Sequence, residues 1–167
     1  IFADKDSDFI FYMNLWREYH EQKTALSNNQ LRKWCRSHYI AWLRMREWID
    51  TWRQIRKMLT EGNIREHKLA FNTTPAGYDA IHRSLLSGLL SHVGKKDEDK
   101  KFLGARNRKY MVFPGSKLFR KPPLWMMSAE IVETSQVYAR TNAKIDVAWV
   151  EALAKHQMKY HYADPHW

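Results

Sequence analysis

Apolar residues in the first half of the chain recur at the spacing of helices. A capping box at 27–30 (SNNQ) predicts a helix start, because the Ser27 hydroxyl can accept from the N–H of Gln30 while the Gln30 side chain reaches back. The apolar positions that follow are Leu31, Trp34, Ala41, Met45, Trp48, Trp52, Ile55 and Leu59. Their steps of three, four and seven predict one helix of up to about thirty residues.

Two further helices are predicted on either side of this one. A stripe formed by Phe9, Met13, Trp16 and Tyr19 or His20 follows the acidic cluster at 4–8 and predicts the earlier helix. Thr74 as N-cap and Pro75 at the first helical position predict a later helix that ends near Gly94. Residues 61–74 are expected to form a long connection.

The period changes after Gly94. Four segments rich in aromatic and β-branched residues read as strands: KFLGA (101–105), KYMVF (109–113), WMMSAEIVET (125–134) and VYARTNAKI (137–145). Four or five short strands in about fifty residues predict a small antiparallel barrel. Asp146 is expected to cap a short helix containing Trp149, Val150 and Leu153. The fold class is therefore α+β, with a helical bundle over residues 1–93, then a barrel and a C-terminal helix over 94–167.

Positive charge is concentrated next to the predicted strands. The formal net charge is +10, and residues 95–121 carry ten basic and three acidic side chains. A local excess of this kind favours a polyanionic partner, with a merely solvated basic loop as the alternative.

Several classes of site are excluded or not supported. Cys35 is the only cysteine, which excludes an intramolecular disulfide and a cysteine-rich zinc site. The nearest approach to a phosphate-binding loop, at 88–96, has five residues between its glycines where four are needed. No apolar run approaches the roughly 18 residues of a membrane span, so a cytoplasmic protein is expected. The absence of methionine at Ile1 leads us to expect a piece of a longer protein.

Six separated blocks carry a family resemblance. They are MNLW (13–16), WCRSHYIAWLRMREW (34–48), IHRSLLSGLLSHVG (81–94), GARNRKYMVFPGSKLFRKPPLWMMSAEIVETS (104–135), YAR (138–140) and DVAWVE (146–151). The order of these blocks and the residues in them resemble the C-terminal accessory region of DEAH-box RNA helicases, in particular that of the bacterial HrpA-type branch. The resemblance implies a ratchet helix bundle followed by an OB-fold. It also implies that these modules cover one side of an RNA channel completed by two ATP-binding motor domains.

The resemblance assigns roles to the basic residues. On an OB-fold, loops between strands flank the binding face. Single-stranded RNA would then contact two loops of the barrel and the long ratchet helix. The candidate RNA-binding residues are Arg106, Arg108 and Lys109 in one loop, Lys117, Arg120 and Lys121 in another, and Arg46 and Arg53 on the helix. Arg46 and Arg53 have an alternative role as ion-pair partners of Asp50. The tryptophans of this helix have the spacing of a core-facing stripe, which favours burial over stacking on bases, and Trp42, slightly off that stripe, is the exception best placed to stack on a base.

No catalytic residue, metal or cofactor is expected in residues 1–167 themselves. ATP and Mg²⁺ would bind to the motor domains of the parent chain, which would be an RNA helicase. Two other interpretations stay open: a stand-alone OB-fold protein that binds single strands or transfer RNA, and a docking platform for protein partners. A P-loop and a DEAH box upstream of Ile1 would favour the helicase.

Overall fold

The structure is a computed structural model that describes residues 2–61, 72–98 and 100–155. The helices are α1 (Asp8–Ala25), α2 (Asn28–Ser37), α3 (Trp42–Glu61), α4 (Tyr78–Leu89) and α5 (Val147–Ala154). The strands are β1 (Val93–Lys96), β2 (Lys101–Gly104), β3 (Lys109–Val112), β4 (Trp125–Glu133) and β5 (Val137–Lys144). Helices thus precede a closed barrel and a short helix follows it, which confirms the predicted fold class. Most of the expected long connection, at 62–71, lies outside the described residues.

The five strands close in the order β1-β2-β3-β5-β4, and β4 returns to β1. Every neighbouring pair is antiparallel except β3 and β5, which run parallel with Met111 beside Tyr138. The predicted barrel is therefore correct apart from this pair. Strand β1 was missed because Gly94, read as a helix stop, lies inside it and pairs with Gly104 of β2.

The prediction of one long helix after Ser27 is wrong. The capping box is present, with the Ser27 N–H donating to Gln30 Oε1 over 2.9 Å, but α2 ends at Ser37 and α3 begins only at Trp42. Between them Tyr39 takes a left-handed φ of 56°, and the Ile40 N–H donates back to the Cys35 carbonyl. The apolar spacing continues across the break because both helices bury one face, so periodicity alone could not reveal it.

The predicted start of the later helix at Thr74 is also wrong. Helix α4 begins at Tyr78 with Gly77 as its N-cap. The Tyr78 hydroxyl donates to the carbonyl oxygens of Asp6 and Lys144, at 2.9 and 2.8 Å. These tertiary contacts outweigh the local preference for a start at Pro75. The Asp146 cap of α5 is confirmed, since its Oδ1 accepts from the Ala148 N–H at 2.9 Å.

The chain divides into two compact units. The barrel unit comprises Ile1–Leu15 and Ala76–Trp167, and the helical unit comprises Trp16–Pro75. The N-terminal residues belong with the barrel because Ser7 bridges to Ala143 and the Lys144 N–H donates to the Asp6 carbonyl. This division differs from the boundary expected at residue 93. One cluster of the barrel core contains Phe102, Tyr110, Val112, Leu118, Met126 and Ala139; a second contains Leu86, Val93, Met127, Ala143 and Ile145.

Candidate nucleic-acid interface

Three of the predicted cations lie in the connector, the name used here for residues 113–124 between β3 and β4. Lys117, Arg120 and Lys121 are all exposed. Lys117 opens a short 3-10 helix, Lys117–Phe119, whose Leu118 side chain is buried in the barrel core. Among the described residues none of the three cations forms an ion pair. The connector therefore presents three positive charges that this part of the chain does not neutralise.

The connector is held in place by one carboxylate on α1. Asp8 accepts from the Ser116 hydroxyl at 2.6 Å, from the Lys117 N–H at 3.1 Å, and from the Asn142 N–H of β5 at 2.9 Å. Ser116 in turn accepts from the Leu118 N–H at 3.3 Å. Hydrogen bonds to a charged acceptor are stronger than neutral ones. The backbone beneath the three cations is thus fixed before any ligand arrives, which lowers the entropy lost on binding.

The second predicted group lies in the loop between β2 and β3 and is partly neutralised. Arg108 pairs with Glu133 at 3.3 Å, and Lys109 pairs with Asp97 at 2.8 Å. The hydrogen bond to Asp97 raises the pKa of Lys109 above its ordinary value. Arg106 is exposed, has a left-handed φ of 56°, and forms no ion pair with a described residue. Of this group, only Arg106 offers an uncompensated charge.

The two groups do not meet at one end of the barrel. The first loop precedes β3 and the connector follows it, so a four-residue strand of about 13 Å separates them. Beside the connector lies a cation that the sequence analysis did not select: the Lys100 ammonium group lies 4.2 Å from the centre of the Phe119 ring. The signal for it was the pair Lys100 and Lys101 after the acidic residues at 97–99, which could have been assigned to the same edge once β1 was recognised.

Arg46 and Arg53 line a cavity of about 360 Å³ in the helical unit. The Trp42 ring lies close to two guanidinium groups there, with Arg32 Cζ at 4.1 Å and Arg46 Cζ at 5.0 Å from the ring centre. Arg53 pairs with Asp50 at 3.4 Å, so its alternative structural role is present, although such exposed pairs contribute little. Sequence reasoning missed Arg32 because α2 and α3 were read as one straight helix, in which residues ten apart do not meet.

The described residues give little support for a metal site, a reactive thiol or a membrane-spanning helix. Over 2–61, 72–98 and 100–155, no group of three or more His, Cys, Asp or Glu could hold a metal ion. Cys35 is fully buried, and burial raises the pKa of its thiol, so the sulfur is protected from reaction. No helix in this part of the chain is long and apolar enough to cross a membrane.

Comparisons with known proteins agree with the barrel seen in the structure. A family model described as "Oligonucleotide/oligosaccharide-binding (OB)-fold" matches residues 81–158. The chain is 48% identical over 167 residues to the ATP-dependent RNA helicase HrpA of Escherichia coli and to its Haemophilus influenzae homologue, covering 99% of this chain and 12% of each helicase. It is 26% identical over 169 residues to an Arabidopsis thaliana pre-mRNA-splicing factor ATP-dependent RNA helicase, covering 95% of this chain and 23% of that protein. The chain thus spans a small fraction of the length of these relatives.

Proposed function

We propose that the chain is an RNA-binding accessory region of an ATP-dependent helicase, because it is 48% identical over nearly its whole length to HrpA RNA helicases and an OB-fold family model matches residues 81–158. In this proposal, motor domains elsewhere in the parent chain bind ATP and Mg²⁺ and hydrolyse the nucleotide. The accessory region contacts single-stranded RNA and keeps the strand in register with the motor. The RNA and those motor domains are its proposed partners.

The observation that carries the proposal is the state of the connector. Lys117, Arg120 and Lys121 are exposed and have no described acidic partner, while Asp8 holds the backbone beneath them. A strand of RNA brings one negative charge per nucleotide, and neutralising it releases condensed counterions. Contacts of this kind fix the position of the strand without reading its sequence. That is the behaviour a general RNA-translocating enzyme needs.

The helical unit supplies a second proposed contact. Arg32 and Arg46 lie close to the Trp42 ring, and Arg53 lines the same cavity. Guanidinium groups bind phosphate bidentately, while an indole face can stack on a base. A strand moving past this cavity would exchange one phosphate for the next, which suits coupling to the nucleotide state of the motor. Arg106 is the remaining barrel cation proposed to contact RNA, with Arg108 and Lys109 contributing only if their ion pairs open.

The test is a titration of the chain with fluorescently labelled single-stranded RNA at several salt concentrations. We expect weak binding whose affinity falls steeply with salt. Replacing Lys117, Arg120 and Lys121 together by Ala should flatten the slope of log K against log [salt] by about two units, at about 0.7 per phosphate contact on a single strand.

A matched control removes the same charge elsewhere. Replacing Lys33, Arg44 and Lys57 by Ala takes three exposed cations from the helical unit, none of which lines its cavity. The slope should change by less than about one unit, because a distant charge contributes only through the overall field. Equal effects of the two triple variants would remove the connector from the interface. No binding of the unaltered chain at low salt would instead favour the protein-docking platform.

A further inference from the structure

A second cavity, of about 420 Å³, lies on the outside of the barrel unit where α1, β4, β5 and the connector meet. Its lining includes three aromatic residues, Phe11, Tyr12 and Phe113, and four charged side chains, Asp8, Lys117, Glu130 and Arg140. Tyr12 is 45% exposed. The volume is within the range of small-ligand sites, and the mixture of rings and charges is typical of pockets that orient a flat polar molecule.

Arg140 is the least satisfied group in this cavity. Its guanidinium carbon lies 4.7 Å from the centre of the Phe113 ring. Its Nε is buried and has no hydrogen-bond partner in the described structure. A buried donor without an acceptor is costly and rare in native proteins, and a ligand that supplies the acceptor is one explanation for it. The guanidinium group packs on the ring, and both line the cavity.

Glu130 lies directly opposite Arg140 in the antiparallel ladder of β4 and β5. Side chains at such positions start only about 5 Å apart at Cβ. Glu130 is nevertheless exposed and forms no ion pair with Arg140 in the described structure. The cavity therefore presents the N–H donors of Arg140 beside the carboxylate acceptors of Glu130, and the two groups form no ion pair with each other in the described structure.

The backbone next to this pair is strained. Thr141 has a φ of 54° within β5. It lies between Arg140, which pairs with Glu130 of β4, and Asn142, which pairs with Ser128 of β4. A positive φ is a genuine outlier for a β-branched residue. Asp8 holds the following Asn142 N–H at 2.9 Å. Strain maintained by surrounding contacts is concentrated at binding sites, where it aims neighbouring side chains.

We propose that this cavity binds one guanine base of the RNA strand that the connector holds. Guanine presents two adjacent acceptors, N7 and O6, which match the guanidinium group of Arg140. Its N1–H and N2 amino group are adjacent donors, which match the carboxylate of Glu130. Tyr12 and Phe113 supply the aromatic faces, and Lys117 reaches a neighbouring phosphate. Guanine can form two hydrogen bonds with each of these charged groups, whereas each of the other bases forms fewer than two with at least one of them.

This inference rests on the proposed function and names the base preference of the same surface. It is tested with the same chain and three labelled RNA octamers: eight uridines, and the same octamer with its fifth base changed to guanine or to adenine. We expect the guanine octamer to bind about tenfold more tightly than the other two. Arg140→Gln should reduce this ratio to about two or less, and the exposed Glu130→Gln should reduce it without affecting folding.

Lys117→Ala is the matched control in the same cavity. It should weaken binding to all three octamers by a similar factor and leave the guanine ratio intact, because a phosphate contact does not read the base. Equal binding of the three octamers, with a steep salt dependence retained, would overturn the guanine site but leave the proposed function standing. No binding of any octamer would overturn both. Binding of guanosine 5′-monophosphate as tight as that of the guanine octamer would overturn RNA as the source of the base.

Discussion

Asp8 is the single residue on which the geometry of the connector most depends. Its carboxylate accepts from Ser116, Lys117 and Asn142, and a neutral amide in its place would weaken all three bonds and turn a donor toward them. We expect Asp8→Asn to lower the free energy of unfolding by about 1–3 kcal/mol in urea titrations and to weaken RNA binding. Asp4→Asn is the control: among the described residues Asp4 accepts one hydrogen bond, from the Asp6 N–H, so the change should cost less than about 1 kcal/mol. Equal losses for the two would contradict this role.

His82 makes the stability of the barrel unit depend on pH. It is fully buried, with Nε2 2.7 Å from the Ser7 hydroxyl and Nδ1 2.7 Å from the Tyr78 carbonyl. A neutral ring satisfies both, donating from Nδ1 and accepting at Nε2. Burial lowers the pKa of His82 below its ordinary value, against smaller opposing effects of that carbonyl and of nearby Asp4 and Asp79.

The sign of the pH dependence follows from the lowered pKa. In the unfolded chain His82 takes up a proton as the pH falls through about 6.5, whereas in the folded chain it stays neutral to a lower pH. The stabilisation is therefore complete above that pH and is lost as the pH falls toward the folded pKa. We expect the melting temperature to fall between pH 7.5 and pH 5.5, and to fall less in His82→Gln. Parallel curves for the two chains would rule out His82 as the cause.

Among the elements, the break between α2 and α3 is strained at Tyr39. This side chain is 100% exposed and packs on nothing, while its φ of 56° costs an L-residue about 1–2 kcal/mol. Tyr39→Gly should therefore raise the free energy of unfolding by about 0.5–1 kcal/mol, against the usual trend for glycine. Leu43→Gly, at a 65% exposed helical position of α3, should lower it by about 1 kcal/mol. Denaturant titration of both variants checks the prediction, which fails if both are destabilised.

Strands β1 and β2 are shaped around one tyrosine. Gly94 and Gly104 face each other across the two strands, and a Cβ on Gly94 would overlap the hydroxyl of Tyr110. That hydroxyl is buried without a hydrogen-bond partner in the described structure, and burial raises the pKa of Tyr110. Gly94→Ala should cost about 1–3 kcal/mol through overpacking.

A double-mutant cycle tests this packing. Tyr110→Phe should change stability by less than about 1 kcal/mol, because it removes a group that bonds to nothing described. In the Tyr110→Phe background, Gly94→Ala should cost at least about 1 kcal/mol less, although the ring itself still lies close. Additive costs, measured by thermal unfolding, would show that the overlap is relieved elsewhere.

Most elements could be predicted from local pattern, and the errors have a common cause. The four recognised strands and the caps at Ser27 and Asp146 depend on neighbours in sequence, and they are confirmed. The break at Tyr39 and the start of α4 at Tyr78 depend on contacts with distant residues. Strand β1 contains only Val93 as an apolar residue, so neither period could identify it.

Across the whole molecule, charge could be predicted but pairing could not. All eight selected cations are exposed, as their type suggests. Which of them remain uncompensated depends on partners such as Glu133 and Asp97, brought close by strand register rather than by sequence distance. The cavity around Arg140 could not be predicted for the same reason, because Tyr12 of α1 is far along the chain from the β4–β5 hairpin that carries Glu130 and Arg140.

The barrel unit is assembled from the two ends of the described chain, and this orders its folding during synthesis. Asp6, Ser7 and Asp8 are synthesised before their partners, which lie at residues 116–144. At about 5–20 residues per second, they wait roughly ten seconds. The helical unit, which is encoded between these two segments, can collapse in that interval. The barrel strands that the first turn of α1 contacts have not yet been made. Removing residues 2–8 would therefore damage a barrel whose strands all lie at 93–144.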